Sequence, residues 1–346
     1  MRHIELHILQ SFPVSCLNRD DLNSPKTAVF GGVQRARVSS QCWKRAIRET
    51  AQEELPLFFK GMRGRLFIEP MKIALVKEGF DEIKALEIAK EFGENLAKFD
   101  ADAEKKTGVL RVKTAYFTTH NEISKLAKAY KEKGEVKKAI KELAPEDLKD
   151  AADISLFGRM VASDHTLTIE GAAMFSHALS THKVENEIDY FSAMEDWPNA
   201  DAGAAMTSTL EFNSATYYRF AALNLDMLFD KDHLECLNSK ERKDVVKTFV
   251  KATLQAIPVA RRNSMNGNVP PSYVLCVIRE EGHPIQLVNA FEEPIQSKNG
   301  IVKESIKAIE KEYQGLKTTW GLTGTEIKMP EKSIIDLLAE VEKHVN

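Results

Sequence analysis

The chain has 346 residues, of which 43% are hydrophobic and 29% charged, enough for one elaborated domain or two. This composition excludes disorder throughout and a fibrous repeat, and no run of roughly 18 apolar residues offers a membrane span. A net charge of −3, from 48 basic and 51 acidic residues, is not the profile of a free nucleic-acid binder.

The first segment, MRHIELHILQ, lacks the apolar core and small-residue cleavage site of a signal peptide. His3 to Leu9 alternates apolar and polar residues, which predicts a half-buried strand. A loop punctuated by Pro13 and Pro25 follows, in which Asp20 and Asp21 are expected to bind backbone amides and order the turn. Phe30-Gly31-Gly32 reads as a turn. Ser39-Ser40-Gln41 reads as a helix start with a serine cap, and Trp43 and Ile47, one turn apart, should face a core. Lys44, Arg45 and Arg48 then fall on other faces. From Leu22 to Arg48 there is no acid, while Lys26, Arg35, Arg37, Lys44, Arg45 and Arg48 are all basic.

Residues 49 to 150 are rich in lysine and glutamate and mostly helical in pattern, as in DEIKALEIAKEFGENLAKF and NEISKLAKAYKEKGEVKKAIKEL. We read this stretch as a helical insertion with a solvated surface. DISLFGRMVAS and AAMFSHALSTHKV are candidate strands or buried segments. Glu185 to Ser214 has little periodicity and is long for a structureless loop, which favours a projecting hairpin. Tyr217–Leu225 and Ser272–Ile278 read as strands; Glu241–Ile257, Ile301–Tyr313 and Lys332–Val345 read as helices. This order fits an α+β fold with helices on one face of a sheet, such as an RRM-like, ferredoxin-like core interrupted by insertions.

No nucleophile elbow, Walker loop or dinucleotide fingerprint is present. His3-x-Glu5-x-His7 could in principle bind a metal from one strand face, but a polar face is the ordinary reading. His177 and His182 are five apart, which suits structural roles. Four well-separated cysteines, with no C-x-x-C, point to reduced thiols, as in a cytoplasm. Neither a catalytic constellation nor a cofactor site is expected. The basic segment is different. A helix N-terminus preceded by Arg35 and Arg37 and followed by Lys44, Arg45 and Arg48 suits phosphate oxygens, against the alternative of a solvated basic helix. Lys137, Lys138 and Lys141 form a second basic cluster, and Met160, after Gly158-Arg159, reads by itself as a core methionine.

Several motifs carry a resemblance. They are Ser15-Cys16-Leu17-Asn18-Arg19-Asp20-Asp21, Phe30-Gly31-Gly32 and Arg35-x-Arg37-x-Ser39-Ser40-Gln41-x-x-Lys44-Arg45. Asp153-Ile154-x-Leu156-x-Gly158-Arg159-Met160, Ser176-His177-Ala178, Thr181-His182-x-Val184, Ile188-Asp189-x-Phe191, Tyr218-Arg219, Asn224-Leu225 and Asn289-Ala290-Phe291-Glu292 extend it. Together they resemble the backbone subunits of the type I-E CRISPR Cascade complex (CasC, the Cas-seven family of the RAMP superfamily), most weakly in the helical insertion.

The resemblance implies a right-hand shape. A modified RRM-like (ferredoxin-like) palm would comprise residues 1–50, 153–184 and 215–346. Residues 51–152 would be the helical insertion, or fingers, and 185–214 the projecting hairpin, or thumb. It also implies copies stacked in a helical filament, hexameric in that family, along one CRISPR RNA. Other Cascade subunits, target double-stranded DNA paired to the guide as an R-loop, and a recruited helicase-nuclease would complete the partners; no membrane is involved. The subunit itself would not be catalytic. Carried over residue by residue, Arg19, Lys26, Ser39, Gln41, Lys44, Arg45 and Arg48 would hold the guide backbone, with Arg159 beside them. Met160 would press on a base, Phe191 and Ser192 would lie near a displaced nucleotide, and Lys137, Lys138 and Lys141 would line the DNA path. Tyr190 stands where the family's best-known member has tryptophan. A related alternative is a type III-like subunit that cleaves RNA with a divalent metal and a palm-loop aspartate, for which Asp20 and Asp21 are the candidates.

Overall fold

A computed structural model describes all residues except Ala162, 195–203, Arg262 and Ser297. In chain order, β1 (His3–Ser15), β2 (Thr27–Phe30) and β3 (Val33–Val38) lead into α1 (Ser40–Glu54). Then come β4 (Met62–Gly64), α2 (Ile68–Lys77), α3 (Glu82–Ala97), α4 (Ala101–Thr107) and β5 (Tyr116–Thr118). After α5 (His120–Lys133), α6 (Val136–Ile140) and α7 (Ala152–Phe157) the chain forms β6 (Ala173–Phe175), β7 (Ala178–Ser180), β8 (Glu187–Met194) and β9 (Ala204–Asn224). It ends with α8 (Leu225–Leu228), α9 (Ser239–Gln255), β10 (Tyr273–Arg279), α10 (Ile301–Trp320), β11 (Thr325–Met329) and α11 (Ile334–Lys343).

Two compact units emerge. The first comprises Met1–Thr50, Phe175–Ala222 and Phe249–His344. Its sheet runs β11-β10-β1-β9-β7-β3-β2, with β8 branching from β9. The resolved pairings are antiparallel: β1 with β10 from His3↔Arg279 to Leu9↔Tyr273, and β8 with β9 from Glu187↔Phe212 to Ser192↔Thr207. The mixed α+β class and the β8–β9 hairpin agree with the sequence reading, whereas residues 195–203 of the expected thumb lie outside the described residues. Leu9, Tyr218, Leu275, Val277, Phe291, Ile309 and Tyr313 form one buried cluster joining sheet and α10. Each large side chain buried there contributes about 1.5–3 kcal/mol.

β1 departs from expectation. It is buried on both faces from His3 to Gln10, so its polar residues need partners inside the protein. Glu5 accepts from the backbone amide of Ile285 (3.0 Å), Arg279 Nε (3.2 Å), His3 Nε2 (3.1 Å) and His7 Nε2 (3.4 Å). Leu287 donates its amide to the Tyr218 hydroxyl, which donates to His7 Nδ1 at 3.0 Å. Burial alone would raise the Glu5 carboxyl, but hydrogen bonds from His3 and His7 and the charge of Arg279 bring it down to about 2. Burial holds the His7 imidazole below its ordinary value, consistent with a neutral ring that accepts at Nδ1. Both His7 nitrogens are committed and an arginine faces Glu5, so this strand face builds a hydrogen-bond network where a metal site had been conceivable.

The second unit comprises Ala51–Met174, Leu223–Thr248 and Val345–Asn346. Its core gathers Ile68, Met71, Leu75, Phe92, Leu126 and Val136 from α2, α3, α5 and α6. Residues 153–174, which the resemblance assigns to the palm, lie within this compact unit. The Asp153 carboxylate accepts from the Gly61 amide (3.2 Å) and Gln52 Nε2 (3.3 Å), and Ala152 donates its amide to Phe58 O, which tie that segment to the helical stretch. Residues 223–248 belong to this unit as well.

Candidate nucleic-acid interface

Gly31 and Gly32, at φ 58° and 74°, form the two-residue turn that joins β2 to β3. A Cβ at Gly31 would collide with the carbonyl of Glu292, so the turn also requires glycine for close approach. The hairpin delivers the chain to Ser39, which caps α1: its Oγ accepts from the Cys42 amide at 3.3 Å. Asn18 anchors this cap from the preceding loop, because its side-chain oxygen accepts from the Ser39 amide at 2.9 Å and its carbonyl from the Lys26 amide. Trp43 and Ile47 face inward and are buried, as their spacing predicts.

Around this cap the first unit brings together Lys26, Arg37, Gln41, Lys44 and His177. The Lys26 carbonyl accepts from the Arg37 amide, and Arg37 Nε donates to Thr27 O at 3.1 Å. His177 Nδ1 accepts from the Ser40 amide at 3.2 Å. Partial burial, and then the charges of Arg37 and Lys26, push the His177 imidazole below its ordinary value, so the ring stays a neutral acceptor. Lys44 is half-buried, with Nζ 5.5 Å from the centre of the Phe175 ring, and burial lowers its ammonium. Gln41 and Arg45 are exposed, and Arg45 Nε donates to Glu49 at 2.8 Å. Arg48, three residues on, is half-buried. Arg19 is exposed and donates to Asn23 at 3.2 Å. These residues put cations, a histidine and an amide side chain around the start of α1, groups suited to phosphate and ribose oxygens.

Three expected contributors have other work. Arg35 is fully buried: Nε donates to Phe30 O, Nη1 to Ser180 O at 3.0 Å, and Nη2 to Phe291 O at 2.8 Å. It stitches the β2–β3 hairpin to β7 and to residues 291–292 and faces no solvent. Ser39 is only 7% exposed, and its hydroxyl is occupied as the helix cap. Two first-turn amides, those of Ser40 and Cys42, already have partners, so the helix start offers fewer free donors than sequence alone suggests. Asp20 behaves as expected of a loop-ordering residue: its Oδ1 accepts from the Leu22 amide at 2.8 Å and the Ser24 amide at 3.0 Å.

In the second unit, Arg159 was expected to touch RNA but is 5% exposed, with Nη1 on Glu122 and Nε on Leu167 O. Met160 is the reverse case. Expected by itself to be a core residue, it is 82% exposed. Lys137, Lys138 and Lys141 are exposed at α6, with Lys138 paired to Glu135 at 2.9 Å. On β8, Phe191 and Ser192 are exposed, and Ile188 and Tyr190 on one face of the strand stand out further, Tyr190 at 67%. His177 was missed as a site residue because its partner amide lies 137 residues away in sequence. Among the described residues no cluster of three or more histidine, cysteine or carboxylate side chains could hold a metal ion. No described helix is long and apolar enough to cross a membrane.

Comparison with known proteins follows the same lines. No curated protein matches the sequence. A chain of a solved "CRISPR RNA-guided surveillance complex, pre-nicking" is 25% identical, with 99% of both chains covered and a TM-score of 0.82. A chain of another "CRISPR RNA-guided surveillance complex" shares the fold at 21% identity, again over 99% of both chains, with a TM-score of 0.63. The family model described as CT1975-like protein matches residues 4–341, nearly the whole length over which the hairpin, the capped helix and the basic cluster are built, and the chain therefore belongs to the CT1975-like protein family.

Proposed function

We propose that this protein is a CRISPR RNA-binding backbone subunit of a type I-E Cascade surveillance complex. In this reading the first unit's sheet is a modified RRM-like palm, the helices of 51–152 are fingers and the β8–β9 hairpin is a thumb. Copies stack along the guide spacer, grip its phosphates and riboses, and leave base edges free to pair with double-stranded DNA in an R-loop. The observation that carries the reading is the convergence of Lys26, Arg37, Gln41, Lys44 and His177 at the capped start of α1. It lies in a chain of the CT1975-like family whose fold matches subunits of RNA-guided surveillance complexes. Concentrating cations on one face of a chain with net charge −3 gives RNA affinity without strong repulsion between stacked copies.

The subunit is proposed to be non-catalytic and to work without a cofactor in the cytoplasm. CRISPR RNA, target DNA, further copies, other Cascade subunits and a helicase-nuclease are its proposed partners. The test is co-expression with the rest of its operon. One uniform small RNA bound to a multi-copy assembly is the expected result, and a monomer carrying heterogeneous RNA would overturn it. The type III-like reading predicts metal-dependent cleavage of complementary RNA, abolished by Asp20→Ala or Asp21→Ala. The commitment of Asp20 Oδ1 to two backbone amides favours the loop-ordering role.

A further inference from the structure

His177 stands opposite the capped helix. β3 pairs with β7 antiparallel with Val38 opposite Ala178, so the next position along sets Ser39 against His177. From there the ring reaches the first residue of α1, where its Nδ1 accepts from the Ser40 amide at 3.2 Å. A backbone amide can only donate, so Nδ1 carries no proton and the neutral ring holds its proton on Nε2. His177 is exposed, and no protein group among the described residues partners Nε2.

The ring also resists a second proton. Partial burial and the charges of Arg37 and Lys26 hold it below its ordinary value. A proton added at Nδ1 would moreover break the Ser40 bond and set two N–H groups against each other. His177 thus offers one neutral N–H, its tautomer fixed by the helix start, in the company of Lys26, Arg37 and Lys44.

Those cations are the stronger ligands for phosphate, because charge-assisted hydrogen bonds are roughly twice as strong as neutral ones. A neutral donor among them suits a neutral oxygen. The ribose 2′-hydroxyl is such an oxygen, is present at every nucleotide of an RNA strand, and is what separates RNA from DNA. Resting on the guide-binding role proposed above, we infer that His177 Nε2–H donates to a ribose 2′-hydroxyl and makes this face selective for RNA over DNA. The Ser40 amide acts behind it as a positioning group, since it decides which ring nitrogen is left to donate.

The test uses the full chain and two short single strands with the same bases, one built on ribose and one on 2′-deoxyribose. The readout is the ratio of their affinities, because a lost phosphate contact weakens both alike. His177→Asn puts an amide oxygen in the place of Nδ1, keeps the Ser40 bond and removes the outward donor. Its ratio should be about fivefold smaller than that of wild type, as for one neutral hydrogen bond, with an unchanged melting temperature. His177→Gln puts an amide nitrogen near the place of Nε2 and should recover most of the ratio. A wild-type ratio in His177→Asn, or equal weakening of both strands, would overturn the inference while leaving guide binding intact. Wild-type protein that binds neither strand would overturn the guide-binding reading itself, and this inference with it.

Discussion

Arg159 Nη1 lies 2.7 Å from Glu122 Oε1 and 2.8 Å from Oε2, with both side chains buried, while the very next residue, Met160, projects into solvent. The pair fixes the turn from which Met160 emerges. Arg159→Met leaves a buried carboxylate without its partner and should destabilise the protein by about 3–5 kcal/mol. Met160→Ala should change stability by less than about 0.5 kcal/mol, as for an exposed site. Urea denaturation of the two variants checks both. Under the proposed function, only Met160→Ala leaves a normally folded subunit whose bound guide shows altered nucleotide reactivity.

The proposed guide-binding face is tested by salt. Lys44→Ala with Arg45→Ala removes two cations from the region of the α1 start. Losing two phosphate contacts should flatten the dependence of log affinity on log salt by about 1.4, taking ~0.7 per contact for single strands. Arg45 already pairs with Glu49, so an Arg45→Ala single variant is expected to account for the smaller share. An RNA-binding titration across salt concentrations with an unchanged slope would remove both residues from the site.

Acid should weaken the β1 network. The Glu5 carboxyl sits at about 2 in the folded protein against an ordinary value of 4.5. A carboxyl lowered on folding contributes stability that is present above 4.5 and lost as pH falls towards 2, on the order of 3 kcal/mol in all. His7, lowered by burial, acts in the same direction, since a ring kept neutral must be charged as pH falls below its unfolded value. Melting temperature followed between pH 6 and pH 3 should therefore drop more steeply in wild type than in Glu5→Gln, while Glu5→Gln is the less stable protein at pH 7. Parallel curves would show that the network is not what acid dismantles.

The α6 lysines should act on target DNA and not on assembly. Reversing Lys137, Lys138 and Lys141 to glutamate puts like charge against DNA phosphates and should slow association of double-stranded target several-fold at low salt. Guide-loaded complex should still form. Association at the wild-type rate would show that this cluster is solvated surface.

Local pattern made much of this architecture readable. Ser39, Trp43 and Ile47 follow from helix capping and a 3.6-residue period, and the Gly31-Gly32 turn follows from the conformational freedom of glycine. β11 went unseen because Thr-Glu-Ile-Lys-Met is short and mostly polar, and it becomes a strand only by pairing with β10. Burial of arginine was illegible for a related reason. Arg35 donates to carbonyls 145 and 256 residues away, and Arg159 is paired with a carboxylate 37 residues earlier. Sequence marks both as basic and cannot show that their donors are already taken. His3, Glu5 and His7 looked like a wet strand face because alternation reports polarity, and only the packed structure reveals that polarity satisfied inside.

The strand order has a consequence for how the chain is made. β1 is synthesised well before its neighbours, for it ends up between β9 and β10, which begin at Ala204 and Tyr273. At a translation rate of about 5–20 residues per second, its first neighbour emerges roughly 10–40 s after it does. Throughout that interval an apolar strand waits with both edges open, the condition under which nascent chains pair wrongly with one another. Late closure of distant pairs also makes folding slow once the chain is released. A nascent chain that stops before Tyr273 would therefore leave β1 with an unfilled edge, so yield of soluble protein should depend on completing the chain quickly more than on the strength of any one contact within it.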